Sequence, residues 1–261
     1  MRRNHTDMSL RILAAIPLCV SWSLAQDLAP AKVEPAPDPQ PAAVAGKPSV
    51  TQLDDARYQI GGVIFNRLNR EIRFPAKMNM SEGLIEYVVV LQKGHVHEAF
   101  LLADISPTDL NLAFTLLRYK PSPELFSEIE ESGHPSGILP EVPLPVKASA
   151  RIAIEVEWTH SGTTHRCTLN EWFQSRSSQT TMIPGPWLYT GSSSSEGVYI
   201  PELSGDVISV KPDRYAVVNY PGADNVDQPS WYPSLQLVPP VGTDVTVIIS
   251  PFFKRKPLPT P

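Results

Sequence analysis

The sequences LIEYVVVL (residues 84–91) and VHEAFLLADI (residues 96–105) decide the fold of this 261-residue chain. Both are rich in β-branched and aromatic residues, which favour strands. Lys93 and Gly94 between them are typical of a short turn. The pattern therefore predicts a central β-hairpin at 84–105. Apolar residues on both faces of each run indicate strands that are covered on both sides.

One helix is predicted directly after this hairpin. Ser106 is a good N-cap, Pro107 suits the first turn, and Asp109 follows three residues after the cap. Apolar residues then recur at helical spacing. They are Leu110, Ala113, Phe114 and Leu117. We expect one main buried helix near 107–118.

The remainder of the chain favours strands over helices. The 28 prolines argue against a helical bundle, because proline removes a backbone donor and clashes with the preceding turn. Residues 151–158 alternate apolar and polar, as a half-buried strand does. Further short apolar runs are separated by turn formers. The predicted class is α+β, dominated by β structure, with antiparallel sheets around the central hairpin.

The N-terminus predicts export. Arg2 and Arg3 precede the apolar run 12–20, and small residues follow near Ala25. This is the layout of a signal peptide at residues 1–25. No other apolar run approaches the ~20 residues that a membrane-spanning helix needs. We expect an exported protein, periplasmic or extracellular, with no transmembrane span after cleavage.

Proline marks the other boundaries. Residues 26–53 are rich in proline and alanine and predict a disordered tether. A single globular domain is expected at 54–253, with a proline-rich surface excursion at 120–147. Residues 254–261 predict a disordered tail.

Charge and cysteine content exclude several classes of protein. The net charge is −5 without a long basic run, so nucleic acid is not an expected partner. Cleavage after residue 25 would leave Cys167 as the single cysteine, so neither a disulfide nor an iron–sulfur cluster is expected. We expect Cys167 to be a small buried residue in a strand.

Histidines supply the candidates for catalysis. His95 and His97 lie two residues apart at a predicted strand start, so they share a face. His160 and His165 flank a tight turn. If the two pairs were neighbours, their imidazoles would suit a transition metal such as zinc, with Glu98 as a general base.

Two further clusters suggest binding. Asp224 and Asp227 share a loop whose oxygens suit calcium, without the full spacing of a calcium-binding loop. Trp231 and Tyr232 lie in a proline-flanked loop, where exposed aromatic rings would recognise a glycan or a protein.

Several motifs together resemble the bacterial YdjY-domain proteins. They span residues 57–251 and are found at 72–76, 83–87, 93–98, 187–192 and 241–245. The resemblance implies an exported domain without an established activity. In that family a small hydroxyl residue usually follows the His-Glu pair, whereas Ala99 stands there in this chain.

Three functions remain open. The first is an exported, non-enzymatic binding or envelope-associated domain without a cofactor. The second is a metal-dependent enzyme with a histidine-rich site, and the third is a glycan-binding module that uses exposed aromatics. The expected partner is an envelope protein or a glycan. The sequence alone leaves the ligand unidentified.

Overall fold

The computed structural model describes residues 49–176, 178–222, 224, 231–234 and 236–253. Three predicted segments lie wholly or largely outside this part. They are the signal peptide, the C-terminal tail and the tether, of which only the last five residues are described. The first strand begins at Val50, inside the range that the sequence assigns to the tether.

Sixteen strands run through the described residues. The first eight are β1 (Val50–Gln52), β2 (Arg57–Ile60), β3 (Val63–Asn66), β4 (Glu71–Met78), β5 (Tyr87–Val90), β6 (Ala99–Ala103), β7 (Arg151–His160) and β8 (Thr163–Thr168). The others are β9 (Phe173–Ser175), β10 (Trp187–Tyr189), β11 (Ser194–Ser195), β12 (Val198–Tyr199), β13 (Asp206–Ser209), β14 (Val218–Asn219), β15 (Trp231–Pro233) and β16 (Asp244–Pro251).

Helices are few and short in the described residues. The α-helices are α1 (Pro107–Leu116), α2 (Leu144–Ala150) and α3 (Ile200–Ser204). Short 3-10 helices occupy Val96–Glu98 and Leu169–Trp172. The β-dominated class predicted from the sequence is confirmed. None of the helices in the described residues is long and apolar enough to cross a membrane.

The main sheet closes on itself. Eight strands follow one another in the order β4-β16-β7-β10-β14-β13-β5-β6, and β6 then pairs with β4. The result is a closed eight-stranded barrel rather than the open antiparallel sheets expected from the sequence. Strands β1, β2 and β3 extend the sheet outside the barrel from β4, and β8 extends it from β7.

The central hairpin predicted at 84–105 is wrong. Strands β5 and β6 are neighbours, but they run parallel, with Tyr87 opposite Ala99 and Val90 opposite Leu102. Residues 91–98 carry the chain back along β5 before β6 begins. Gly94 makes this return possible, because a Cβ there would lie 2.8 Å from the carbonyl oxygen of Gly205. Runs that are apolar on both faces are typical of parallel strands.

The predicted helix is confirmed as α1. Ser106 caps it, with its side-chain oxygen accepting a hydrogen bond from the backbone N–H of Asp109. Leu110, Ala113 and Phe114 are buried, as their spacing predicts.

Inward-facing apolar residues fill the barrel. In β7, Ile152, Ile154 and Val156 are buried and alternate with half-buried Glu155 and Glu157. This confirms the half-buried strand expected at 151–158. The alternation aims one face of β7 at the core and the other outward.

Candidate ligand-binding groove

The β7–β8 hairpin carries the first wall of the candidate site. Ser161 and Gly162 form its turn with φ values of 49° and 78°, as a two-residue type I′ turn requires. His160 and Thr163 are the first facing pair after the turn. Facing residues and their second neighbours point to one side of a hairpin. Six side chains therefore share one face, and four of them are Trp158, His160, His165 and Cys167.

The second wall is the segment 236–240. It is held in place by the residues before it, since β15 pairs with β9 and the backbone N–H of Ser234 donates to the carbonyl of Trp172 at 2.8 Å. The backbone N–H of Leu237 then donates to the carbonyl of Ser234. The segment thereby lies across from the hairpin.

A cavity of about 430 Å³ separates the two walls. Trp158, His165 and Cys167 line it from the hairpin, and residues 236–240 line it from the other side. His160, Glu171 and Trp172 complete the lining. Apolar and aromatic groups therefore dominate this end of the groove, as is usual in small-ligand sites.

Aromatic rings are packed against one another at this end. Trp158 and His165 stack with centroids 5.2 Å apart and an interplanar angle of 17°. Trp158 also contacts Trp172 at 5.2 Å, tilted by 58°. Trp158 is half-buried and Trp172 is buried, and with His165 they form one aromatic cluster that lines the cavity.

A second cavity of about 700 Å³ adjoins the first, and Gln236 lines both. Its lining is more polar than that of the first cavity, with amide, hydroxyl and charged side chains that include Glu82 and Arg176. Nη1 of Arg176 donates to the hydroxyl of Tyr232 at 2.9 Å, and its guanidinium lies 5.3 Å from the centre of the same ring. The groove thus has one aromatic end and one polar end.

Two ionisable side chains of the groove, Cys167 and Glu171, are held in structural roles. Burial, followed by the charges of Glu171 and Glu155, raises the pKa of Cys167 to about 12, so its thiol stays protonated near neutral pH. Oε1 of Glu171 accepts hydrogen bonds from the backbone N–H and the hydroxyl of Thr168, which caps the 3-10 helix at Leu169–Trp172. Neither group is poised as a nucleophile or a base.

The predicted metal ligands are not brought together. His160 and His165 line the same cavity, whereas His95 lies against Asp206 at the start of β13, three strands away from β7 in the barrel order. Among the described residues, no three His, Cys, Asp or Glu side chains lie close enough together to hold one ion. His97 is exposed, and Glu98 ends the 3-10 helix that precedes β6.

His95 has a specific partner that the sequence did not suggest. Its Nδ1 lies 2.9 Å and 3.0 Å from the two carboxylate oxygens of Asp206, and its ring stacks on Tyr87 at 4.9 Å. The hydrogen bond that the His95 ring donates to the Asp206 carboxylate raises the pKa of His95. The side chain of Asp206 is 3% exposed and that of His95 is 59% exposed, so the pair lies at the surface with its anion buried.

The structure describes three of the four predicted calcium and aromatic candidates, Asp224, Trp231 and Tyr232. Asp224 accepts a hydrogen bond from the hydroxyl of Tyr220 at 2.8 Å, and Asp227 lies outside the described residues. Trp231 is only 2% exposed and packs on Tyr220, so the expectation of an exposed ring there is wrong. Its strand β15 pairs with β9, which turns the indole into the core. Tyr232 lines the second cavity.

Sequence reasoning missed most of the groove. It did not include Trp158, Arg176 or Gln236 among its candidate binding residues. These residues come from three separate segments, and only the pairing of β15 with β9 brings the second wall to the hairpin. The one available signal is the tight turn at Ser161-Gly162, which correctly indicated that His160 and His165 are neighbours.

The chain shows no significant match to a protein-family model, to a curated protein or to a solved structure. The resemblance to YdjY-domain proteins therefore stays a prediction from the motifs quoted above. Any functional assignment depends on the site itself.

Proposed function

We propose that this protein is an exported, non-enzymatic binding domain and that the groove between the β7–β8 hairpin and residues 236–240 is its binding site. The observation that carries the proposal is the pair of adjoining cavities that share Gln236. One is aromatic and the other is polar, so together they suit an elongated ligand with both apolar and hydrogen-bonding groups.

The chemistry of the lining favours binding over catalysis. Cys167 is held as a protonated thiol and Glu171 is engaged in a helix cap. The stacked rings of Trp158 and His165 provide a preorganised contact surface, and rigid aromatic residues supply much of the affinity in known interfaces.

The cellular setting of the proposal comes from the sequence. The signal peptide expected at residues 1–25 and the tether expected at 26–53 would hold the domain in or beyond the cell envelope. An envelope protein or glycan is therefore the partner class that we propose.

Co-sedimentation tests the proposal. The purified protein is titrated onto the cell-envelope fraction of the producing cells, and the bound fraction is measured for wild type, Trp158→Ala and Gln236→Ala. We expect saturable binding by wild type, weakened at least about tenfold by Trp158→Ala, since truncation of a central tryptophan commonly costs about 2 kcal/mol or more.

Leu144→Ala is the matched control, because Leu144 is 80% exposed on α2 and does not line the groove. It should bind as wild type does. Gln236 is exposed, so its replacement should leave the fold intact and still weaken binding. Absence of saturable binding, or equal binding by all four proteins, would overturn the proposal.

A further inference from the structure

Strand β8 has an open edge beside the groove. It pairs with β7 on one side, and no other described strand pairs with it. Its six residues are mostly exposed. An open edge presents backbone N–H and C=O groups that a further strand can pair with.

The geometry of the β7–β8 hairpin determines which backbone N–H and C=O groups of β8 point away from β7. The residues that flank a two-residue turn form a hydrogen-bonded pair, and bonded pairs then alternate along the ladder. His160 and Thr163 flank this turn, so the backbones of Thr164 and Arg166 face away from β7. Thr168 is the next residue in this alternation, and its hydrogen bond is consistent with the assignment, because its backbone N–H donates to Glu171 rather than to β7.

Charge defines one face of this edge. On the side of the sheet opposite the groove, Arg166 lies 2.7 Å from Glu155 and 4.0 Å from Glu157. Glu157 in turn lies 3.4 Å from Arg73 of β4. Acidic and basic groups thus alternate across the sheet, and the row ends at the edge with the cation Arg166. An acidic residue opposite Arg166 would continue the alternation, whereas a basic one would be repelled.

The other face of the edge is the aromatic end of the groove. His165 and Cys167 of β8 point into it beside Trp158. A chain added to β8 would send every second side chain towards this cavity, and the side chains between them towards Arg166.

We propose that β8 accepts an extended peptide as an additional strand, with an acidic residue opposite Arg166 and an apolar or aromatic residue in the Trp158–His165 cavity. This inference rests on the proposed function and names the class of its ligand. The acidic residue and the apolar residue of the peptide would face opposite sides of the sheet, so their positions in the peptide differ by an odd number. A second copy of β8 fits less well, because antiparallel pairing centred on Arg166 would set two guanidinium groups against each other.

Selection from a random decapeptide library, followed by fluorescence anisotropy titration of the selected peptides, tests the proposal. We expect peptides with an acidic residue one or three positions from an apolar residue, and exchange of that acid for lysine should weaken binding. Thr164→Pro removes one outward N–H at an edge position where proline is tolerated, and should weaken binding about tenfold. Thr164→Ala keeps the N–H and should bind as wild type does.

Hydrogen exchange in the wild-type protein gives a second readout that needs no variant. Bound peptide should slow amide exchange at Thr164 and Arg166. Failure to select any peptide, or peptide binding without protection of these amides and without an effect of Thr164→Pro, would overturn the inference.

The proposed function can survive that failure. If the envelope fraction still binds in a Trp158-dependent way while Thr164→Pro has no effect, the groove is a binding site for another class, such as a glycan. If Trp158→Ala also leaves the binding of both the peptides and the envelope fraction unchanged, the proposed function fails as well.

Discussion

At the residue scale, long-range partners decide the properties of the titratable groups. His95 and Asp206 are separated by 111 positions, yet the carboxylate accepts from both the backbone N–H and the ring of the histidine. The spacing of histidines in the sequence suggested metal ligands, and it contained no signal for Asp206. A buried acid that pairs with a surface histidine is defined by strand pairing, which local patterns do not encode.

His95 should make stability depend on pH. Its pKa in the folded protein is raised above the ordinary value of 6.5 by Asp206, so its stabilising effect is complete below that value and is lost as the pH rises through the folded pKa. We expect His95→Asn to destabilise the protein more at pH 5.5 than at pH 8.5 in urea denaturation. His97→Asn, at an exposed residue two positions away, is the control. An equal effect of His95→Asn at both pH values would contradict the assignment.

Cys167 should be a slow nucleophile. Because its pKa is raised to about 12 by burial, little thiolate is present at pH 8. Iodoacetamide should alkylate the peptide that contains Cys167 much more slowly in native protein than in urea-unfolded protein, as followed by mass spectrometry. A native rate equal to the unfolded rate would show that the groove thiol is available for chemistry.

At the element scale, local signals predicted α1 and β7 but could not predict how β5 and β6 pair. The Ser106 cap and the alternation in 151–158 act within a few residues, so the sequence shows them directly. The direction of β6 depends instead on the path of residues 91–98, which is determined by the close approach of Gly94 to Gly205. Pro75 is a second case in which local signals are not sufficient. Proline is usual at the end or the edge of a strand, yet β4 continues through Pro75. The strand paired with β4 changes there from β3 to β6.

Gly94→Ala tests this close approach. The added Cβ would lie 2.8 Å from the carbonyl oxygen of Gly205 and 2.9 Å from Cβ of Val90. We expect a loss of about 1–3 kcal/mol in the free energy of unfolding, as for other overpacked sites. Gly185→Ala is the control, because the nearest atom there is 3.9 Å away and its change should stay within about 0.5 kcal/mol. Similar losses in both variants would contradict the close approach.

Ser106→Ala tests the start of α1. The hydroxyl accepts from the backbone of Asp109 and donates to Glu202 of α3 at 2.5 Å. Its removal should cost about 2 kcal/mol in urea denaturation, since both a cap and a hydrogen bond to a carboxylate are lost. Ser193→Ala, at an exposed residue in the loop before β11, should be neutral. A neutral Ser106→Ala would show that α1 does not depend on this cap.

At the scale of the whole molecule, closure of the sheet produces the candidate site. Each of the eight barrel strands pairs with another barrel strand on both of its sides. Strand β7 also continues beyond the barrel, where it pairs with β8. The segment that follows β15 then meets this projection and encloses the two cavities. The sequence indicated the β-rich class but not the closure, because closure depends on the pairing of β4 with β6 and on other pairings between strands distant in sequence, such as β4 with β16 and β5 with β13.

Chemical-shift mapping by NMR tests the groove as the binding site most directly. The isotope-labelled protein is titrated with a detergent-solubilised envelope fraction from the producing cells. We predict that the largest shifts occur at the indole N–H of Trp158 and at the side-chain amide of Gln236. Shifts confined to residues around His95 and Asp206, with the groove unchanged, would contradict the account.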